Sequence, residues 1–310
     1  SIVELLDRPG EENEFLSVAD VERETFHKHP WSLGGGGAGD LKDLVERAST
    51  KSLDEVASEI GFGAVTREDD VFAIGESVCR RKGLSSNFTR PIVAGENVRD
   101  WSVNEPLTAV WPYDESDLGP ADPQKATKLI KFLWPWKQQL SGRVAYGMSQ
   151  IERGLKRYEY SMFFKNRYVV PLSITFAEIA THNHFVLDRG GRVFNRTAPV
   201  IKLPPEADVD DHLALLGLLN SSVGNFWIRQ IAFSKGGDQV GTEGARLSKN
   251  PWEDRLERDG TKLQRFPIAA HHERTLPLAE KLDAEANKRQ AIIPDLVGKR
   301  PLKRDHIEEA

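Results

Sequence analysis

The residues whose types could carry chemistry lie close together between His182 and Arg196. His182 and His184 are two residues apart on a predicted strand, so both imidazoles would share one face. With Asp188 in the next turn, they could form a metal site of two histidines and one carboxylate. The segment lacks the spacing of a ββα-metal nuclease, and a structural or base-contacting histidine pair is the better explanation. We therefore predict no metal ligand and no catalytic residue here.

A tight hairpin is predicted over residues 180–202. Its turn falls at Asp188–Gly191, where two glycines permit the positive φ angles that such a turn needs. A β-ribbon can enter a major groove, where arginine pairs with guanine and asparagine with adenine. A surface hairpin with incidental arginines explains the composition equally well. The predicted base-reading residues are His182, Asn183, His184, Arg189, Arg192, Asn195 and Arg196, with Lys235 and Gln239 of a later Gly-rich loop.

A basic segment lies in the middle of an acidic chain. The 310 residues carry a net charge of −5, yet residues 125–170 hold ten bases and two acids, a net charge of +8. Lysine and arginine that neutralise phosphates release counterions, so this segment is typical of a phosphate-facing surface, with a solvated helix face as the alternative. The predicted phosphate-binding residues are Arg153, Lys156, Arg157, Lys165 and Arg167.

Composition excludes several classes of protein. A single cysteine, Cys79, excludes an intrachain disulfide and a multi-thiolate metal site, and it fits a reducing cytoplasm. No uninterrupted apolar run reaches the roughly 18 residues of a membrane span, and no signal-peptide pattern opens the chain. We expect a cytoplasmic protein without a membrane contact. The first residue is Ser1, which predicts a piece of a longer protein.

Catalytic and cofactor motifs are missing from the sequence. The run Gly34–Gly39 lacks the Lys-Ser/Thr that follows a P-loop, and Ile60–Ala64 does not match a dinucleotide fingerprint. Asn250–Trp252 lacks the second proline of the Asn-Pro-Pro-Tyr loop that holds a flipped adenine, and no S-adenosylmethionine loop precedes it. We predict that this chain by itself binds no cofactor.

The pattern of apolar residues predicts an α+β fold with mixed, mostly antiparallel sheets, packed helices and a C-terminal helix. Residues 1–40 read as an acidic connector with a Gly-rich linker, and residues 269–310 as a helix with a charged tail. Between them lies one region, 41–268, with a sub-boundary near 115–145 left open. Strands are predicted over 60–75, 90–114 and 169–201. Helices are predicted from Asp40 to Ala48, over 123–140 with a break at Pro135, over 142–160, from an aspartate cap at 208–211 to Trp227, and over 271–293.

Six segments carry a family pattern: 29–33 with the Gly run, 95–101, 111–114, 158–160, 181–191 and 215–222. They resemble the C-terminal target-recognition half of adenine-specific DNA methyltransferases of BREX (phage growth limitation, PglX-like) systems, which are related to type IIG restriction-modification enzymes. The helix with Leu-Leu-Asn-Ser is shared widely among such specificity domains, whereas the Thr-His-Asn-His stretch is narrower and points to the BREX group. The resemblance covers about residues 29 to 267.

The resemblance implies a fold like that of target-recognition domains and a role in selecting a DNA sequence. Members of the family transfer a methyl group from S-adenosylmethionine to adenine N6, through a catalytic domain that has no match here. The implied partners are double-stranded DNA, that catalytic domain and other BREX proteins. Two alternatives stay open: a protein-interaction module of a defence complex, and a metal-dependent nuclease that uses His182, His184 and Asp188.

Overall fold

The computed structural model describes residues 2–5, 7–11, 13, 18–27, 37–99, 101–104, 107–235 and 255–299. No helix in these ranges is long and apolar enough to cross a bilayer. The α-helices are α1 (Ile2–Leu5), α2 (Ala38–Arg47), α3 (Leu53–Val56), α4 (Asp69–Phe72), α5 (Glu76–Lys82), α6 (Thr127–Leu133), α7 (Lys137–Gly142), α8 (Asn166–Val169), α9 (Val209–Leu219), α10 (Ser222–Ile231), α11 (Gly260–Leu263) and α12 (Leu276–Lys299).

The strands are short and belong to several small sheets. They are β1 (Ser49–Ser52), β2 (Glu59–Gly61), β3 (Ala64–Val65), β4 (Ala73–Ile74), β5 (Thr89–Val93), β6 (Val98–Arg99), β7 (Ser102–Val103), β8 (Leu107–Val110), β9 (Val144–Ala145), β10 (Met148–Ser149), β11 (Met162–Phe163), β12 (Ser173–Phe176), β13 (Ile179–Ala180), β14 (Phe185–Asp188), β15 (Val193–Phe194), β16 (Val200–Lys202), β17 (Leu256–Glu257) and β18 (Pro267–Ala269).

Two four-stranded sheets organise the described residues. The first has the order β14-β12-β16-β2 and is antiparallel throughout. The second has the order β15-β5-β8-β4, in which only β15 and β5 run parallel. Two-stranded pairs complete the fold: β1–β18, β3–β11, β6–β7, β9–β10 and β13–β17. The predicted class, α+β with mostly antiparallel sheets and a C-terminal helix, is confirmed.

Helices α9 and α10 cover the first sheet and supply much of its core. Asp208 caps α9, since its side chain accepts hydrogen bonds from the backbone N–H groups of Asp210 and Asp211. The predicted single helix through Trp227 is in fact two helices, because Ser221 caps a new one through the N–H of Gly224. Trp227 is buried in the same apolar cluster as strands β12 and β14.

The C-terminal helix packs on this core through small side chains. Ala279 and Ala286 are buried, whereas Leu282 is 39% exposed. The buried position beside it belongs to Asp283, at 5% exposure. The carboxylate of Asp283 forms an ion pair with Arg189, which explains why a charged residue occupies that place.

The second core is built around Trp111, which is fully buried and lies edge-on to Tyr113, Tyr160 and Phe163. The guanidinium of Arg90 lies 4.0 Å from the centre of the Trp111 ring. Such aromatic contacts add roughly 0.5–1.5 kcal/mol per pair beyond the area that they bury. This cluster therefore holds the second sheet against the 158–168 segment.

Three predicted elements are wrong. Val71 and Phe72 lie in the short helix α4 rather than in a strand, and both are buried. Residues 142–160 are not a helix: they contain the β9–β10 hairpin, whose turn residues Tyr146 and Gly147 both have positive φ angles, followed by turns through Gly154. The break predicted at Pro135 is confirmed, because this proline lies between α6 and α7.

The third wrong prediction is the hairpin over residues 180–202. Strand β14 pairs with β12, whereas β15 pairs with β5 of the other sheet. The turn at Asp188–Gly191 therefore carries the chain from one sheet to the next, although Gly190 and Gly191 do have the expected positive φ angles. The arginines around it do not lie on a ribbon.

Because three tyrosines are buried, we expect the protein to unfold at alkaline pH. Burial raises the pKa of Tyr113, Tyr160 and Tyr168 above the ordinary value of 10. The folded state therefore keeps these protons where the unfolded state loses them, and the free energy of unfolding falls as the pH rises above 10. In an alkaline titration, tyrosinate absorbance of these residues should rise together with the loss of circular dichroism. Tyrosinate forming while the fold is intact would contradict this prediction.

Candidate nucleic-acid interface

A cleft of about 420 Å³ lies between the segment Val65–Asp70 and the turn Asn195–Thr197. Sheet pairing brings these distant segments together, because β2 pairs with β16 and β3 pairs with β11. Two predicted base-reading residues, Asn195 and Arg196, line the cleft. The side chain of Asn195 accepts hydrogen bonds from the N–H and hydroxyl of Thr197, at 2.9 and 2.8 Å, so its orientation is held.

The opposite wall of the cleft carries both charge signs. Arg67 is exposed and has a φ of 59°, which non-glycine residues rarely adopt. Beside it lie Glu68, Asp69 and Asp70, and Asp69 accepts a hydrogen bond from Thr66. Arginine and carboxylate together offer donors and acceptors of the kinds that pair with base edges, while the carboxylates repel phosphate. The cleft is thus suited to base edges rather than to the DNA backbone.

Lys235 lies at the same edge of the molecule as Arg196. The backbone N–H of Glu178, just before β13, donates a hydrogen bond to the carbonyl of Thr197, and β13 pairs with β17, which carries Glu257. Lys235 also forms an ion pair with Glu257. The structure therefore brings Asn195, Arg196 and Lys235 together, and Gln239 lies outside the described residues.

Arg189 and Arg192 hold the turn between the sheets. Arg192 forms an ion pair of 2.6 Å with Asp188, whose side chain is buried, and Arg189 forms one of 2.7 Å with Asp283 of α12. Burial raises the pKa of Asp188, and the bond from Arg192 opposes that shift. Base contacts by these two arginines stay a prediction; the structure accounts for them as ties between β14, the turn and the C-terminal helix.

The three residues His182–His184 lie in the connection before β14 and not on a strand. The two imidazole rings are 4.1 Å apart, and His184 is buried. Asn183 donates a hydrogen bond of 2.6 Å to the carbonyl of Leu219, which ties this connection to the end of α9. Within the described ranges, no group of three or more His, Cys, Asp or Glu side chains is placed to hold a metal ion. The metal-dependent nuclease is therefore not favoured.

Four of the five predicted phosphate-binding residues fall into two groups. Lys156 and Lys165 are exposed. Arg153 and Arg167 are engaged inside the protein: Arg153 donates to Ser161 and Gln150, and Arg167 pairs with Glu59 at 3.0 Å. Contacts of these two arginines with phosphate stay a prediction.

The fifth member of that set, Arg157, belongs to a cationic shelf that the sequence did not reveal. Its guanidinium lies 5.0 Å from the ring centre of Trp134, and the ammonium of Lys137 lies 4.4 Å from the same ring. Trp134 is 51% exposed, so the ring presents both cations at the surface. Proline at position 135 was the available signal, since it forces the short 3₁₀ turn that exposes this tryptophan.

The glycines of the Ile60–Ala64 segment are used for packing. A side chain at Gly63 would collide with the hydroxyl of Tyr168, and one at Gly61 would begin 2.9 Å from the guanidinium of Arg167. These glycines admit neighbouring side chains of the chain itself. The residues around them do not fit S-adenosylmethionine, because the space that its cradle would need is filled by Tyr168 and Arg167.

The fold is similar to that of parts of two solved enzymes. No protein-family model matches the chain. The type IIL restriction-modification enzyme MmeI, solved in complex with DNA, is similar in fold with a TM-score of 0.50 and 14% identity, over 78% of this chain and 29% of MmeI. The type IIG restriction endonuclease BpuSI is similar with a TM-score of 0.50 and 12% identity, over 81% of this chain and 28% of BpuSI. The chain thus has a fold found within restriction-modification enzymes.

The sequence comparison is more specific. The chain is 40% identical over 300 residues, 96% of its length, to the adenine-specific methyltransferase PglX of Streptomyces coelicolor. It spans 24% of the length of that relative. The resemblance to PglX-like methyltransferases that the sequence motifs indicated is therefore confirmed for this portion of the relative.

Proposed function

We propose that this chain is the target-recognition part of an adenine-specific DNA methyltransferase, and that it binds duplex DNA and selects its sequence. The observation that carries the proposal is the 40% identity with PglX along nearly the whole chain. In the whole enzyme, S-adenosylmethionine is the methyl donor, bound by a catalytic domain that lies outside this chain. The setting that we propose is phage defence by a BREX system in the cytoplasm, with other BREX proteins as partners.

Two parts of the surface support this role, one suited to phosphate contacts and one suited to base contacts. Exposed lysines lie in one sequence segment of net charge +8, and the cleft beside it presents mixed donors and acceptors. Phosphate contacts position a protein on the duplex, and base-edge contacts select the sequence. We assign phosphate contacts to Lys156 and Lys165 and to the shelf of Arg157 and Lys137.

Sequence selection is assigned to the cleft. Asn195, Arg196 and Lys235 are the members of the predicted base-reading set that the fold gathers at one edge. The aspartate and glutamate side chains of the facing wall are suited to accept from the amino group of cytosine. The region 41–268 is the DNA-binding part in this proposal, and the C-terminal helix α12, within the predicted segment 269–310, supports it by packing on the first sheet's core. In the whole enzyme, this part presents an adenine for flipping into the catalytic pocket.

A salt titration tests the proposal. We expect the chain to bind a fluorescently labelled mixed-sequence duplex, with log K falling linearly as log salt rises, with a slope of about −0.9 for each phosphate contacted. Four contacts would give a slope of about −3.6. Fluorescence anisotropy of the duplex measures the affinity at each salt concentration. A flat dependence, or retention of protein partners without DNA binding, would favour the protein-interaction module instead.

A further inference from the structure

The β9–β10 hairpin carries apolar side chains at the surface. Tyr146 at its tip is 78% exposed, and Val144 and Met148 on its two strands are 52% and 47% exposed. Ile151 just beyond it is 53% exposed. Ala145, by contrast, faces inward and is only 2% exposed. The hairpin therefore shows an apolar edge to solvent with a tyrosine at its most prominent point.

The tyrosine occupies a position that stability alone does not favour. Tyr146 and Gly147 form the two-residue turn, with φ angles of 53° and 77°. Turns with two positive φ angles prefer asparagine, aspartate or glycine at the first place, and a bulky residue there is strained. A strained aromatic side chain kept at an exposed tip points to a contact made by the ring.

Buried polar side chains hold the base of the hairpin rigidly. Arg143, just before β9, is 4% exposed and donates hydrogen bonds to four backbone carbonyls, those of Thr66, Leu140, Arg157 and Glu159. Gln150, just after β10, is fully buried and donates to the carbonyls of Lys156, Glu159 and Tyr160. The tip is thus fixed relative to the segment that carries Lys156 and Arg157.

The charges around the hairpin indicate what the tip meets. The segment 125–170 has ten bases, and its two acids are both engaged: Glu152 accepts from Ser149, and Glu159 accepts from the backbone of Lys156. Arg143 also bonds to Thr66 of the cleft wall, so the hairpin, the cationic shelf and the cleft share one framework. An apolar tip on a framework that also carries the cationic shelf is complementary to a polyanion with stacked bases.

We propose that Tyr146 is a wedge that stacks against a nucleobase of the bound duplex and opens a base step. Apolar side chains inserted between base steps unstack them, while nearby cations hold the flanking phosphates. This inference rests on the proposed function and adds a residue that acts on the bases by stacking rather than by hydrogen bonding.

The test compares a perfect duplex with the same duplex carrying one mismatched pair, which costs less to unstack. The chain should bind the mismatched duplex about tenfold more tightly, since stacking on an aromatic side chain stabilises an unstacked base. Tyr146→Asn should abolish that preference, whereas Tyr146→Phe should keep it. Leu278→Ser, at an apolar side chain of α12 that is 62% exposed, is the matched control and should also keep it.

Stability and salt dependence separate the outcomes. Tyr146→Asn should raise the Tm, because asparagine suits the turn, so a lost preference cannot be attributed to unfolding. The salt slope should be the same in all variants, because tyrosine carries no phosphate-neutralising charge. Retention of the mismatch preference by Tyr146→Asn, or its absence in the unaltered chain, would overturn the wedge while a steep salt slope still supported DNA binding. A flat slope would overturn the proposed function itself.

Discussion

Replacing Arg143 by methionine should lower the free energy of unfolding by about 3–5 kcal/mol. The guanidinium is buried and donates to four backbone carbonyls from three segments of the chain. Burial lowers the pKa of Arg143 to about 10, so the group is still charged at neutral pH and its hydrogen bonds are charge-assisted. Methionine fills much of the volume but leaves those carbonyls without a donor.

Chemical denaturation followed by circular dichroism measures this loss. The matched control is Arg80→Met, because Arg80 has a side chain that is 75% exposed and a loose ion pair of 3.8 Å with Glu76. We expect that control to change the free energy of unfolding by less than about 0.5 kcal/mol. A loss below about 1 kcal/mol for Arg143→Met would show that the hairpin base is not held by this residue.

Removing three exposed cations together should have the largest effect on DNA binding. Each phosphate contact makes the slope of log K against log salt steeper by about 0.9. One contact therefore raises the affinity about eightfold when the salt concentration falls from 1 M to about 0.1 M. The triple substitution of Lys137, Lys156 and Lys165 by alanine should therefore weaken binding at 0.1 M salt by about 500-fold. The salt slope should become shallower by about 2.7, for every duplex sequence alike.

The control for this experiment removes the same charge elsewhere. Lys51, Lys281 and Lys288 are also exposed, and their joint replacement by alanine should leave the affinity within about twofold. Anisotropy titrations of both triple variants, on two unrelated duplexes, give the comparison. If the first triple variant bound within about threefold of the unaltered chain, the phosphate contacts would lie on another face.

Regular elements with long apolar periods were predictable from the sequence. Helix α9 and the buried part of α12 follow from repeating leucines and alanines, and the strands between residues 169 and 201 follow from β-branched residues. The helix prediction for residues 142–160 was wrong because a strand of two residues is too short to show a period of apolar residues. Its hairpin depends on Arg143 and Gln150, whose partners lie in other turns.

The candidate site was predictable in part. Asn195, Arg196 and Lys235 were singled out by residue type, but the cleft wall at Val65–Asp70 was not, because it joins them only through sheet pairing. Arg189 could not be recognised as a tie to α12 from the sequence, since Asp283 is 94 residues away and lay in a predicted surface helix.

The sequence by itself determined the class of fold, the basic segment within an acidic chain and the resemblance to PglX-like methyltransferases. These are properties of composition, local periodicity and motif, and each is carried by neighbouring residues. Only the tertiary structure decided which charged side chains form ion pairs or hydrogen bonds inside the protein and which remain at the surface. The ion pair of Arg189 with Asp283 and the exposure of Tyr146 both depend on contacts between segments that are distant in the sequence. Residue type and local pattern do not specify such contacts.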